Sequence, residues 1–294
     1  MRQHRDRAAP NWPSFDFLAR EVGGRLRNRL DDIRRDFPRT LDLGCRGGEM
    51  AERLIGAKGI EAVVQCDLSP TMARLAAANG QPTLAADEEF LPFRPASFDL
   101  AISCLALHWV NDLPGTLLQL RQTLKSDGLL LAAMLGGESL HELHMALMEA
   151  EIEITGGLSP RVSPFAETRD VGGLLQRAGF ALPVVDVDEI VVTYPDPFAA
   201  LRDLRGMGET NAIAARPKGG LSRRLLARAA EIYDQRFRQA DGRLPVTLQV
   251  LYLTGWAPHA SQQQPLRPGS AQARLAEALG TSEIPAGDPA KPPR

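Results

Sequence analysis

Three acidic residues could do chemistry by virtue of where they fall: Asp42, Asp67 and Asp87. Each closes or follows a short apolar run that reads as a strand. The run Leu41-Asp42-Leu43-Gly44-Cys45-Arg46-Gly47-Gly48-Glu49 ends one such strand and opens a helix. A glycine-rich turn at that place lets backbone amides approach a ligand, because no Cβ stands in the way. Asp42 sits at the strand's carboxyl edge, where open parallel sheets take ligands, and a carboxylate there suits an ammonium group. Asp67 closes the run Ala62–Cys66 and can accept hydrogen bonds from both hydroxyls of a ribose. Asp87 precedes Glu88-Glu89-Phe90-Leu91-Pro92-Phe93, where a carboxylate can receive an adenine amino group with apolar neighbours against the ring. The glycine turn alone would suit a dinucleotide equally well. Three acids after three successive strands are far more specific than any one.

Apolar runs alternating with amphipathic segments must position these groups. Strands are expected at Thr40–Leu43, Ala62–Cys66, Thr83–Ala85, Phe98–Cys104 and from after Gly128 to Met134. Helices are expected at Glu49–Ile55, from a Ser69 cap to Ala78, and at Leu113–Leu124. This alternation implies βαβ units and an α/β fold, a parallel sheet covered on both faces. Ahead of it, residues 14–35 carry Leu18, Val22, Leu26 and Leu30 at helical spacing, with Ser14 as a cap. Beyond it, helices at Leu140–Glu151 and Val171–Ala178 lead to β-rich segments at Val184–Tyr194 and Val246–Trp256. The expected organisation is a helical segment over 1–38, a Rossmann-like core over 39–195 and a helical insertion or lid over 196–244. A last core strand over 245–257 and a mobile tail over 258–294, with a helical patch at Ala271–Leu279, complete it.

With these motifs in view, Leu41–Met134 resembles the class I S-adenosylmethionine-dependent methyltransferases, which implies a seven-stranded fold with the insertion before its last strand. Leu41–Gly48 is similar to their first motif and Cys66-Asp67-Leu68-Ser69-Pro70-Thr71-Met72 to the second. Ala86-Asp87 to Phe93, then Ser97-Phe98-Asp99-Leu100, resemble the third and fourth. The resemblance implies S-adenosylmethionine as cofactor and Asp42, Gly44, Cys45, Gly47, Gly48, Asp67, Leu68, Met72, Asp87, Glu88, Cys104 and His108 as its contacts. More narrowly, Ser103–Asp112 resembles both the malonyl-carrier-protein methyltransferases of biotin synthesis and the methyltransferase-like complex I assembly factors. Gly255-Trp256, His259 and Leu266–Ala271 look more like the assembly-factor branch. That branch implies hydroxylation of an arginine on an NADH dehydrogenase subunit, so the expected partner is that subunit, with an acyl carrier protein as alternative. A non-catalytic assembly module is the third possibility. A nicotinamide oxidoreductase fits poorly, because Gly44–Gly48 lacks the longer glycine spacing.

Arg46 departs from the usual Gly-x-Gly-x-Gly, placing a long cation where bare backbone faces the cofactor. Gly47 could offset this by relaxing the turn, and the side chain could reach solvent or grip a carboxylate. His108 and Trp109, after the fourth strand, are the catalytic candidates: His108 to orient substrate or act as base, Trp109 to pack over it. Glu138, His141, Glu142 and His144 share a helical face but not H-E-x-x-H spacing, so no metal site is expected. Nor does the sequence display an oxygen-activating centre. The basic stretch from Arg202 to Arg228 reads as a solvated face or a docking surface for an acidic partner.

The totals set the outer bounds. With 294 residues, 44 % hydrophobic and 24 % charged, the chain can bury a large core. A net charge of −2 argues against nucleic acid as partner. The apolar runs are strand-length, too short to span a bilayer. The polar, basic N-terminus shows no secretory signal, so a cytoplasmic location is expected. Cys45, Cys66 and Cys104 lack paired spacing and read as buried reduced thiols.

Overall fold

A computed structural model of the chain describes residues 1–263 and 275–282. Residues 1–259 form one compact body. In chain order its elements are α1 (Arg2–Ala8), α2 (Phe17–Asp31), β1 (Arg39–Leu43), α3 (Glu49–Leu54), β2 (Ala62–Asp67), α4 (Pro70–Ala76) and β3 (Thr83–Ala85). Then come β4 (Phe98–Cys104), α5 (Leu113–Thr123), β5 (Leu124–Leu135), α6 (His141–Thr155), α7 (Thr168–Arg177), β6 (Ala181–Tyr194), α8 (Pro197–Gly206), α9 (Arg223–Phe237) and β7 (Leu244–Trp256). In the second unit the described residues hold one short helix, α10 (Leu275–Ala278). The expected helical patch overlaps α10. Residues 271–274, the Leu266–Ala271 motif and most of the expected mobile tail lie outside the described residues. No helix among the described residues is long and apolar enough to cross a membrane.

The seven strands form one sheet in the order β3-β2-β1-β4-β5-β7-β6. Strands β1 to β5 pair in parallel, as the βαβ alternation predicts. Beyond the strands that this alternation covers, β7 pairs antiparallel with both β5 and β6. Both kinds of pairing show the same period of two, so the apolar pattern carries no signal for direction. Strand β6 is an edge whose Val187 and Val191 are half exposed, so that end of the sheet is not covered on both faces.

Apolar side chains pack on each face. On one, Val22, Leu26 and Leu30 of α2 meet Leu100, Ile102 and Leu131; on the other, Leu117 and Leu120 of α5 pack with Leu41, Leu43 and Leu130. β4 is buried at every position, which is what a central parallel strand requires. Helix α2 starts later than expected. Pro10 and Pro13 hold Ala9–Ser14 in a tight 3-10 turn, so Ser14 is spent there and Asp16 takes the cap position. Ser69 caps α4 as expected, accepting from the Met72 amide at 3.1 Å. The cysteines are free and buried. Helices α8 and α9 lie between β6 and β7, and α9 packs on α6 around Leu147, Leu225, Ala229 and Tyr233.

Candidate functional site

The turn between β1 and α3 closes on itself. The amides of Gly44 and Cys45 donate to the Cys66 carbonyl at 2.7 and 3.0 Å, and the Gly48 amide to the Cys45 carbonyl at 2.8 Å. The Arg46 amide donates to Asp67 Oδ2 at 3.1 Å. These four donors are therefore spent inside the protein, contrary to the expectation that the turn would offer them to a ligand. Gly44 has φ +73°, and a Cβ on it would stand 2.1 Å from the Ala106 Cβ, so only glycine fits. Arg46 itself adopts φ 49°, a left-handed conformation that costs a non-glycine residue about 1–2 kcal/mol. Gly47 does not take up that strain. Its bare backbone instead admits Trp12, whose Cδ1 would lie 2.7 Å from an added Cβ and whose indole N–H donates to Glu49.

Something must hold Arg46 in place, and the insertion supplies it. The guanidinium donates to the Leu105 carbonyl at 2.6 Å, the Met207 carbonyl at 3.2 Å and Glu209 Oε1 at 2.6 Å, with its plane 5.2 Å from the Trp12 ring. Of the fates open to this side chain, it grips a carboxylate. Glu209 Oε2 also takes the Trp109 indole N–H at 2.6 Å and faces His108 Nε2 at 3.0 Å. Burial alone would raise the Glu209 carboxyl, but Arg46 and His108 more than reverse it, holding it at about 2. The Leu135 amide donates to His108 Nδ1 at 3.4 Å, so the proton sits on Nε2, pointing at Glu209. Burial lowers the His108 pKa, only partly offset by Glu209. Both ring nitrogens are engaged, which leaves His108 as an orienting contact, not a free base.

On the other side of the turn lie the carboxylates. Asp42 is inaccessible and neither of its oxygens has a hydrogen-bond partner. Burial, with Glu49 and Asp67 nearby, pushes its carboxyl well above the usual range. Asp67 is held by the Ser69 amide at 2.8 Å and by Arg5 of α1 at 3.3 Å. Arg5 is 1 % exposed and also bonds Glu88 at 2.5 Å. A cleft of about 370 Å³ lined by Leu68, Asp87, Glu88, Ala106, His108 and Val110 runs from this point. A second, of about 320 Å³, is walled by Leu143, Leu147, Phe165 and Leu204 and reaches Glu209. Trp109 and Ser163 border both, so the two clefts meet at the Glu209 cluster.

Residues 41–132 match a family described as a methyltransferase domain. Two solved structures, a methyltransferase-annotated protein of Bacillus halodurans and the YcgJ protein of Bacillus subtilis, superpose with TM-scores of 0.56. Their identities are 17 and 14 %, over 81 and 80 % of this chain and 100 and 98 % of theirs, which shows the shared fold. A mitochondrial arginine-hydroxylase, NDUFAF5, of Danio rerio is 43 % identical over 90 % of this chain and 82 % of its own length. The chain belongs to the NDUFAF5 family. The human member is 44 % identical over 91 % of this chain and 78 % of that protein. A malonyl-[acyl-carrier protein] O-methyltransferase of Laribacter hongkongensis is 38 % identical over 90 % of this chain and 91 % of its own length, so that group is related as well. The chain is thus a methyltransferase-superfamily enzyme with the class I fold.

Within this family member, the structure gathers most of the expected contacts around the turn. Asp42, Gly44, Cys45 and Cys104 line one small cavity, and Leu68, Asp87, Glu88 and His108 line the larger cleft. Gly47 and Gly48 shape the turn from outside both: a Cβ on Gly48 would strike the Asn79 and Gln65 side chains. Met72 is not brought to either space; on the buried face of α4, it lies inaccessible in the core. Asp87 is exposed and takes the Glu89 amide at 3.0 Å, and Phe90 is 76 % exposed. Glu142 of α6 is turned inward to Thr247, accepting from its hydroxyl at 2.5 Å, and lies 3.6 Å from His141 Nε2. Two residues of this candidate site escaped the sequence. Glu209 lies in the cation-rich insertion, and Arg5 in a segment with no apolar stripe. The only available signal for Glu209 was an acid following a Met207-Gly208 helix stop.

Proposed function

We propose that this chain binds S-adenosylmethionine at the β1–α3 turn and modifies an arginine side chain of a partner protein. In line with the family resemblance, that partner is an NADH dehydrogenase subunit. The cofactor's polar demands match groups that lack partners here. Asp42 offers two unpartnered carboxylate oxygens to the ammonium, and the cleft beside Leu68, Asp87 and Glu88 suits the adenine. Asp67 stands between them, where ribose hydroxyls would replace its contact with Arg5. When bound, the cofactor would supply a methyl group activated by a sulfonium; adding an oxygen to arginine draws instead on dioxygen and two electrons from outside the chain, with water as the second product.

One observation supports arginine as the target: the second cleft has apolar walls and a buried carboxylate, Glu209, at its inner end. An arginine is an apolar stem carrying a planar cation, and Glu209, which already pairs with Arg46, is the carboxylate at that cleft's inner end. Trp109 and His108, both tied to Glu209, fix that carboxylate beside the cofactor cleft. A second possibility, methyl transfer to a malonyl thioester on a carrier protein, draws support from Arg161, Arg216 and Lys218 around the same cleft. These cations also suit the acidic surface of a docking subunit. The buried free cysteines favour a reducing, aqueous compartment.

The test is mass spectrometry of cells lacking and re-supplied with the chain. One oxygen added to an arginine of an NADH dehydrogenase subunit, absent with Glu209→Gln, is the expected result. A methyl added to malonyl-carrier protein instead would establish the second function. Rescue of complex assembly by Asp67→Ala, with neither product formed, would establish a module without turnover.

A further inference from the structure

The expected donors for a ligand's carboxylate are missing from the turn, because the amides of Gly44, Cys45, Arg46 and Gly48 all have acceptors within the protein. Arg46 itself offers a substitute. Its two terminal nitrogens are spent on Leu105, Met207 and Glu209, which fixes the guanidinium plane. Nε is the one guanidinium nitrogen that is buried and has no partner. Both oxygens of Asp42 are likewise buried without a partner. Arg46 and Asp42 line the same small cavity with Cys45 and Cys104. One orphaned cationic donor and one orphaned carboxylate face a common space without bonding each other. Leaving such groups unsatisfied is costly unless a ligand completes them.

We propose that Arg46 and Asp42 form a seat for an α-amino-acid head group, Arg46 Nε taking its carboxylate and Asp42 its ammonium. On the cofactor assignment above, on which this rests, the head group is the methionine end of S-adenosylmethionine. Arg46 is then a positive determinant of cofactor recognition and not an obstruction, standing in for the backbone donors that the turn has spent. It also links the cofactor to Glu209, because one guanidinium serves both. The cavity in the closed chain is about 10 Å³, room for a single water. The head group therefore enters only when a wall of this cavity, to which Ala19 of α2 contributes, moves off.

Calorimetric titration of the full chain with S-adenosylmethionine and with its decarboxylated form tests the seat without relying on turnover. The wild-type chain should bind the intact compound roughly ten- to hundredfold more tightly, the range for a charge-assisted hydrogen bond. Arg46→Met should lose that preference while its affinity for the decarboxylated form changes by less than about threefold. Arg46→Lys, which keeps a cation beside Glu209 but lacks the fork, should lose it as well and serves if the Met variant does not fold. Equal binding of the two compounds by the wild-type chain overturns the seat with no variant needed. So does a preference that survives both substitutions, or tighter S-adenosylmethionine binding in Arg46→Met. Failure of the wild-type chain to bind either compound would instead overturn the cofactor assignment itself.

Discussion

Glu209→Gln is the substitution whose effect follows most directly from the site. Arg46 and His108, working against burial, hold this carboxyl at about 2 against an ordinary 4.5. A carboxylate whose pKa falls on folding stabilises the native state above its unfolded value, and the contribution drains away as pH drops toward the folded one. The window here runs from pH 4.5 down to about 2. At about 1.4 kcal/mol per pKa unit, the ionised form contributes about 3 kcal/mol at neutral pH. Glutamine keeps a carbonyl for the Trp109 indole but offers Arg46 no charge. The variant should therefore lose about 3 kcal/mol at pH 7, a fall in Tm of about 6–12 °C for a chain of this size. At about pH 3.5 the wild-type chain has itself begun to lose the contribution, and the gap should narrow to about 2 kcal/mol. Urea unfolding followed by tryptophan fluorescence reads both values. Equal gaps at the two pH values, or none at pH 7, would refute the charge-based account of this cluster.

Other substitutions probe the rest of the site. Gly44→Ala sets a methyl against Ala106 at a positive φ and should cost about 1–3 kcal/mol in the same urea assay; an unchanged midpoint would contradict the turn geometry. Asp42 is held with a raised pKa, so ionising it costs the folded chain stability as pH rises past the usual carboxylate range. Asp42→Asn should melt higher than wild type by a margin that grows as pH rises above the usual carboxylate range, while losing S-adenosylmethionine binding by calorimetry. A margin that shrinks with pH would show that Asp42 is charged and stabilising. Ser69→Ala removes the cap of α4 and the hydroxyl that donates to Asp6 at 2.5 Å, and should cost about 1 kcal/mol by thermal denaturation.

The parallel half of the sheet was legible because each strand from β1 to β5 is a short apolar run followed by turn residues and an amphipathic helix. Asp42, Asp67 and Asp87 could be placed for the same reason: each ends or follows such a run. What escaped was set by contacts distant in sequence. Strand β7 reverses direction without changing its period of two, so nothing local distinguishes it from a parallel strand. Glu209 meets His108 only through the packing of the insertion, and its neighbours in sequence suggest a solvated basic face. Arg5 sits in a polar segment that helical periodicity passes over, yet the fold buries it completely. Arg46 was noticed as a departure, but its left-handed backbone and three acceptors needed coordinates. Met72 matched a motif by type while the sheet's geometry turned it into the core.

The contact of Arg5 with Asp67 and Glu88 sets a timescale as well as a structure. Helix α1 is fastened there and by Asp6 at Ser69, so a ligand that needs Asp67 must wait for this fastening to release. Its association then proceeds in two stages, and the observed rate levels off with ligand concentration at the rate of release. Once the helix has closed again, the same fastening delays departure. If the cofactor binds here as proposed, residence time at this site would be governed by the first eight residues as much as by the pocket they cover, and exchange of spent for fresh cofactor would be paced by a helix that touches no reacting atom.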